Sequence, residues 1–163
     1  MTEAPGSALV VELASDTQIR MTRMLNAPRA LVFETLTKPE HIRQWWGPRS
    51  MTMVSCEVDL RVGGAWRFVQ RDPDGGEYAF RGEYREISPP DRLTYTFEFE
   101  EMPGHVSVED IFLTEAAGKT TLVNVVTYAS REERDAVIES GMESGAREGM
   151  DRLEELLHAV AGG

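Results

Sequence analysis

The sequence predicts an α+β domain in which an antiparallel sheet turns one apolar face toward a long C-terminal helix. Three observations carry this prediction. Residues 51 to 128 break into strand-like runs separated by turn chemistry, aromatic residues within those runs recur at every second position, and residues 131 to 160 repeat apolar positions at helical spacing behind a capping signature. The 163 residues suit one domain, and a chain of this length buries roughly 70% of the surface its unfolded form exposes, so its core needs no staple.

Residues 1 to 16, MTEAPGSALVVELASD, read as a flexible arm or a short edge strand. Glu3 stands where an export signal wants positive charge, and the run ALVV is too short for a signal or a membrane segment. A single domain is expected over 17–160, because no repeat, low-complexity tract or linker divides it. In TQIRMTRML (17 to 25), Ile19, Met21, Arg23 and Leu25 alternate with polar partners at the period of a half-buried strand. Pro28 then fits the first turn of a helix near 28 to 37, with Val32, Phe33 and Leu36 on its apolar side. Lys38-Pro39 breaks it, and a second short helix from about 40 to 46 stops at Gly47-Pro48.

From 51 to 128 the punctuation is Gly63-Gly64, DPDGG (72 to 76), SPPD (88 to 91), MPG (102 to 104) and AAGK (116 to 119). Short turns between consecutive strands imply an antiparallel meander, bringing the sheet to six or seven strands. Trp66 and Phe68, then Tyr78, Phe80 and Tyr84, then Leu93, Tyr95, Phe97 and Phe99 fall on one face by parity. Their neighbours Arg67, Arg81, Glu83, Arg85, Thr94, Thr96, Glu98 and Glu100 mostly belong to water.

The helix at 131 to 160 covers that face. Ser130 with Glu133 three places on is a capping-box signature, and Ile138, Met142, Leu153, Leu156, Leu157 and Val160 form its apolar stripe. Gly141, Gly145 and Gly149 interrupt it, each costing roughly 1 kcal/mol relative to alanine. The charges at Glu139, Glu143, Arg147 and Glu148 exclude a membrane contact. The expectation is that the glycine stripe admits a neighbouring element at close range. The other reading is that it leaves space between helix and sheet for a ligand.

Composition excludes several classes. With 28 acidic against 17 basic residues the net charge is −11, which repels nucleic acid and anionic lipid, so neither nucleic acid nor membrane is expected as a partner. The single Cys56 forms no internal disulfide and reads as a small buried residue in a cytoplasmic protein. His41, His105 and His158 lie far apart and read as surface residues, so no metal site is expected. The carboxylates read as solvated charge, no phosphate-binding or dinucleotide fingerprint occurs, and neither a catalytic constellation nor a cofactor is expected. Arg23 and Asn124 fall out of pattern, sharing parity with apolar neighbours; they read as buried polar groups satisfied by a nearby carboxylate or carbonyl, and the other reading is that either points into a cavity.

Five segments in order, NAPRALVFETLTKPEHIRQWWGP, DLRVGGAWRF, FRGEYREISPPDRLTYTFEFE, GKTTLVNVVTY and SGMESGAREGMDRLEELL, resemble a known group. It is the START-like, Bet v 1-type superfamily (SRPBCC), in its stand-alone bacterial branch similar to the C-terminal domain of the activator of heat shock protein 90 ATPase. The resemblance runs from about Arg20 to Leu157. It implies a helix-grip fold, a curved antiparallel sheet wrapped around the long C-terminal helix with two short helices closing one end, often around an apolar cavity. The function implied first is binding of a hydrophobic small molecule there. The alternatives are a polyketide cyclase or aromatase-like enzyme, an antibiotic-sequestering resistance protein, and a co-chaperone-like stress protein. The last departs from the eukaryotic activators, whose N-terminal chaperone-binding domain has no counterpart here, so a chaperone partner is not expected. A homodimer is compatible with the resemblance.

The cavity so implied would be lined by Trp66 and Phe68, by Tyr78, Phe80 and Tyr84, by Tyr95 and Phe97, and by Met142 and Gly145 of the helix. Trp45 and Trp46 complete it. Either both rings pack the short helix onto the sheet, or one faces the core while the other, about 100° round the helix, borders the cavity mouth. Flanked by Pro39 and Pro48, that helix is expected to be held by few hydrogen bonds and to open readily.

Overall fold

The computed structural model describes residues 8–162. Its strands are β1 (Val10–Ser15), β2 (Gln18–Leu25), β3 (Thr52–Val58), β4 (Ala65–Arg71), β5 (Glu77–Ser88), β6 (Arg92–Phe99), β7 (Ser107–Ala116) and β8 (Lys119–Thr127). Helices α1 (Arg29–Thr37) and α2 (Pro39–Trp45) follow β2, and α3 (Arg131–Glu139) and α4 (Met142–Gly162) follow β8. One antiparallel sheet runs in the order β1-β2-β8-β7-β6-β5-β4-β3. The short turns make β3 to β8 a continuous meander, and α1 and α2 carry the chain from β2 to the opposite edge at β3. This is the helix-grip α+β architecture.

The strands number eight where six or seven were expected, because the chain before residue 17 supplies an edge strand that pairs Val10 with Thr22 and Leu13 with Ile19. Residues 1–7 of the expected arm lie outside the described residues. Two arginines pin this edge to the helices: Arg134 donates to the Ser15 carbonyl, and Arg147 donates to the Leu9 carbonyl at 3.1 Å.

The helix expected over 131–160 is two helices. Gly141 adopts φ +85°, a left-handed conformation that glycine takes without strain, and it closes α3. Ser130 caps α3 as its type predicts, accepting the Glu133 N–H at 3.1 Å, but the Glu133 carboxylate turns to His105 Nδ1 at 3.0 Å instead of back to Ser130. Ile138, assigned to the apolar stripe, is exposed.

The two halves of α4 differ in bulk. Leu153, Leu156 and Leu157 join Leu25, Val32, Ile42 and Leu122 in the main core, where Leu153 and Leu157 are fully buried. The first half of α4 instead presents Gly145, Ala146 and Gly149. Burying a leucine stabilises by roughly 1.5–3 kcal/mol, so the second half anchors the helix while the first leaves room.

On the sheet, Trp66, Phe68 and Tyr84 are buried, and Phe80, Tyr95 and Phe97 pack half-buried against the same core, as period 2 requires. Arg67 and Arg81 face water. Thr94 and Thr96 do not. The Thr94 hydroxyl donates to Asp110 at 2.8 Å, and Thr96 Oγ1 accepts the Glu83 N–H at 2.9 Å beside a bulge between Tyr84 and Glu86. Gly82 pairs with Trp66 nearby, and a Cβ there would stand 1.8 Å from the Thr96 carbonyl oxygen and 2.4 Å from the indole nitrogen, so glycine alone admits the ring. Among the described residues no helix is long and apolar enough to cross a membrane.

Candidate functional site

Between the aromatic face of the sheet and the first half of α4 lies a cavity of about 480 Å³, within the range that holds drug-sized ligands. Strand β4 contributes Trp66, Phe68 and Gln70, β5 contributes Phe80 and Tyr84, and β6 contributes Leu93, Tyr95 and Phe97. Met142, Gly145, Ala146, Gly149 and Met150 form the helical wall, and Trp45 to Pro48 close one end. All expected lining residues are on this wall except Tyr78. Its hydroxyl instead donates to Asp72 Oδ2 at 3.1 Å in the β4–β5 turn, where Asp72 Oδ1 already accepts the N–H groups of Asp74 and Gly76 at 2.9 Å. Those hydrogen bonds, the Gly76 N–H first, hold the Asp72 carboxyl below its usual range and keep Tyr78 at the turn.

The glycine stripe is a source of space, contrary to the expected close approach. A Cβ at Gly145 or Gly149 would meet no atom within 4 Å, and both residues border the cavity. No sheet or helix presses on them. Side chains of ordinary size at these positions would occupy the volume now empty.

The paired tryptophans divide. Trp45 is buried, and its indole N–H donates to the Thr35 carbonyl at 2.8 Å, tying α2 to α1. Trp46 is half-buried and meets Phe68 and Phe80 edge-on at centroid distances of 5.0 and 5.1 Å, the geometry aromatic pairs favour. Both rings touch the cavity.

The α2 end is not loosely held. Arg152 of α4 donates to the carbonyls of Gln44, Gly47 and Pro48 at 3.0, 2.8 and 3.2 Å, and Gln70 Nε2 donates to the Trp46 carbonyl at 2.9 Å. Gly47 permits the last contact: at φ +86° it turns the chain, and a Cβ there would stand 2.4 Å from Gln70 Nε2. The helix expected to open for want of hydrogen bonds is clamped from two elements.

Of the polar groups on this wall, the sequence singles out Asn124 and Tyr95 but not Glu109. Glu109 accepts the Tyr95 hydroxyl at 3.0 Å and Asn124 Nδ2 at 2.9 Å, both on Oε1, and all three residues line the cavity. They come from adjacent strands, with Tyr95 paired to Glu109 and Asn124 to Ile111. The protein surrounds Glu109, and this burial raises its carboxyl above the ordinary carboxylate value, while the Asn124 and Tyr95 hydrogen bonds oppose the rise without cancelling it. Burial likewise pushes the Tyr95 and Tyr84 phenols up. The available signal was parity, since Ser107, Glu109, Ile111 and Leu113 alternate on one side of β7.

Of the two out-of-pattern residues, Arg23 points to α4, where Asp151 and Glu154 lie 2.8 and 3.8 Å away, and only Asn124 reaches the cavity. Three buried polar atoms of lining residues, Trp66 Nε1, Gln70 Oε1 and Asn124 Oδ1, have no hydrogen-bond partner among the described residues. Cys56 is buried with its thiol 3.9 Å from the Pro39 carbonyl, and burial raises its pKa, as suits an inert residue. Among the described residues no group of His, Cys, Asp and Glu is placed to hold a metal.

Residues 26–158 match the family described as activator of Hsp90 ATPase homolog 1-like protein. Among solved structures, a protein of Rhodobacter sphaeroides superposes with a TM-score of 0.85 at 26% identity, over 93% of this chain and 98% of the other. A Nitrosomonas europaea protein gives 0.82 at 26% identity over 93% and 100%, and protein Ms6760 of Mycobacterium smegmatis gives 0.81 at 27% over 91% and 96%. No curated protein matches the chain.

Proposed function

The chain belongs to the family of activator of Hsp90 ATPase homolog 1-like proteins, and from that premise we propose that it binds a hydrophobic small molecule in the cavity between the sheet and α4. The observation that carries this reading is the cavity of about 480 Å³ itself, walled by aromatic and methionine side chains and left hollow by Gly145 and Gly149. Empty apolar space costs stability, because its lining forgoes the contacts a packed core would make. A ligand that fills the space recovers those contacts, and the few converging polar groups fix its orientation.

Acid–base catalysis on a bound polyketide-like substrate is the second reading, and Glu109 is the observation that favours it, because it is a cavity-lining carboxyl whose burial raises its pKa above the ordinary carboxylate value, the direction that favours a general acid.

Thermal unfolding against a panel of polycyclic aromatic and polyketide-like compounds tests the binding reading. A ligand at about 100 times its Kd stabilises by roughly 2.7 kcal/mol, a shift readily seen in the midpoint. The same compounds are expected to leave a Gly145→Leu variant, whose cavity is partly filled, unshifted. A panel that shifts neither protein defeats the proposal.

A further inference from the structure

Among the described residues Glu109 is the only charged residue on the cavity wall. No described Lys, Arg or His shares that wall, so among the described residues the carboxylate lacks the cation with which a buried acid is ordinarily paired. Its two oxygens are treated differently. Oε1 accepts both Tyr95 and Asn124, which fix the orientation of the carboxylate. Oε2 has no hydrogen-bond partner among the described residues, and unlike Asn124 Oδ1 it is not occluded, so it stays available to whatever occupies the cavity.

Resting on the reading that the cavity binds a hydrophobic small molecule, we propose that this ligand is an apolar amine whose ammonium group pairs with Glu109 Oε2 while its hydrocarbon part lies against the aromatic wall. The ligand supplies the missing cation. A charge-assisted hydrogen bond from ammonium to carboxylate is about twice as strong as a neutral one, and a desolvated site strengthens it. Aromatic faces such as Trp46, Phe68 and Phe80 attract cations in their own right. The net charge of −11 enriches cations near the protein and depletes anions.

The groups facing Glu109 set the pH response. They are the Tyr95 phenol from β6, Asn124 from β8, the Tyr128 phenol just after β8, and the uncharged Met142, Ala146 and Met150 of α4 on the opposite wall. None changes charge near neutrality. Amine binding requires the ionised carboxylate, so affinity for an amine rises with pH as Glu109 loses its proton. A ligand that accepted a hydrogen bond from protonated Glu109 would respond in the opposite sense.

Calorimetric titration of the full chain with 1-naphthylmethylamine, 1-naphthylmethanol and 1-acetylnaphthalene decides the matter. At about pH 7.5 the amine is expected to bind roughly tenfold or more tightly than the alcohol or the ketone. Glu109→Gln keeps the shape and the Oε1 acceptor. It is expected to weaken the amine far more than the alcohol, so that the amine-to-alcohol affinity ratio falls roughly tenfold or more toward unity. Lowering the pH to about 5 should weaken amine binding to the wild type alone. The proposal is overturned if the ketone binds tightest and tightens as pH falls, or if Glu109→Gln leaves the amine-to-alcohol ratio unchanged. Equal affinities for all three compounds overturn the amine assignment and leave the cavity reading standing. Failure of all three to bind overturns both.

Discussion

Arg152 Nη1 lies 2.8 Å from the carbonyl oxygen of Gly47, tying the middle of α4 to the turn that ends α2. The same guanidinium reaches the carbonyl of Gln44, which the last turn of α2 leaves without an intrahelical donor, and that of Pro48 in the turn beyond. Arg152→Ala is expected to lower stability by about 1–3 kcal/mol, the usual cost of stranding such groups. Hydrogen exchange at residues 44–48 should quicken, and Arg152→Lys, a point charge without the planar fork, should restore only part of the protection. Unchanged exchange in this turn would show that the clamp is not what holds it.

Trp45 and Trp46 should separate stability from binding. Trp45→Ala removes a buried ring and the donor to Thr35, with an expected loss of roughly 3–5 kcal/mol in denaturant unfolding. Trp46→Ala removes a half-buried ring at the cavity. Its larger effect is expected on ligand affinity, a weakening of about 1–3 kcal/mol. Equal destabilisation by both substitutions, with ligand affinity untouched, would make the pair simply core.

Gly145 and Gly149 lie in helical backbone with open space at the Cβ position. Gly145→Ala and Gly149→Ala are each expected to stabilise the free protein, by about 0.5–1 kcal/mol from helix propensity alone. Gly141→Ala should do the reverse, because its φ of +85° strains any side-chain-bearing residue. Urea unfolding of the three variants provides the comparison, and destabilisation by alanine at 145 or 149 would mean that these positions are crowded.

Stability should also depend on the protonation of Glu109. Burial raises its folded-state pKa above the ordinary value of 4.5, so between the two the folded protein binds more protons than the unfolded one. Its contribution is therefore most favourable below about pH 4.5 and is lost as pH rises through the folded value. Glu109→Gln removes this dependence. The variant is expected to gain on the wild type steadily as pH increases from about 4.5, as read from unfolding midpoints at several pH values. A difference that is flat with pH would show the carboxyl to be solvated.

Much of the architecture was legible because it rests on short-range periodicity. Alternation placed Trp66, Phe68, Phe80, Tyr84, Tyr95 and Phe97 on the inner face, and a one-residue slip would have sent them all to water. Pro28, Pro39 and the Gly47-Pro48 pair marked the ends of the two short helices to within a residue. Alternation failed for Thr94 and Thr96, where a bulge and a contact to the half-buried Asp110 carboxylate intervene, and for Tyr78, where Asp72 captures the hydroxyl.

What the sequence determined by itself, then, was the order of elements and the side each residue faces, since both follow from local backbone geometry acting over a few residues. Whether the apolar face is packed or hollow was decided only in the tertiary structure. The gap between sheet and helix depends on how α4 is seated at its far end by Leu153 and Leu157, which no local pattern reports. The same is true of Glu109. Its parity on β7 matched that of Ile111 and Leu113, but a lone carboxylate becomes a buried site only when β6 and β8 bring Tyr95 and Asn124 against one of its oxygens and the hollow beneath α4 leaves the other unpaired.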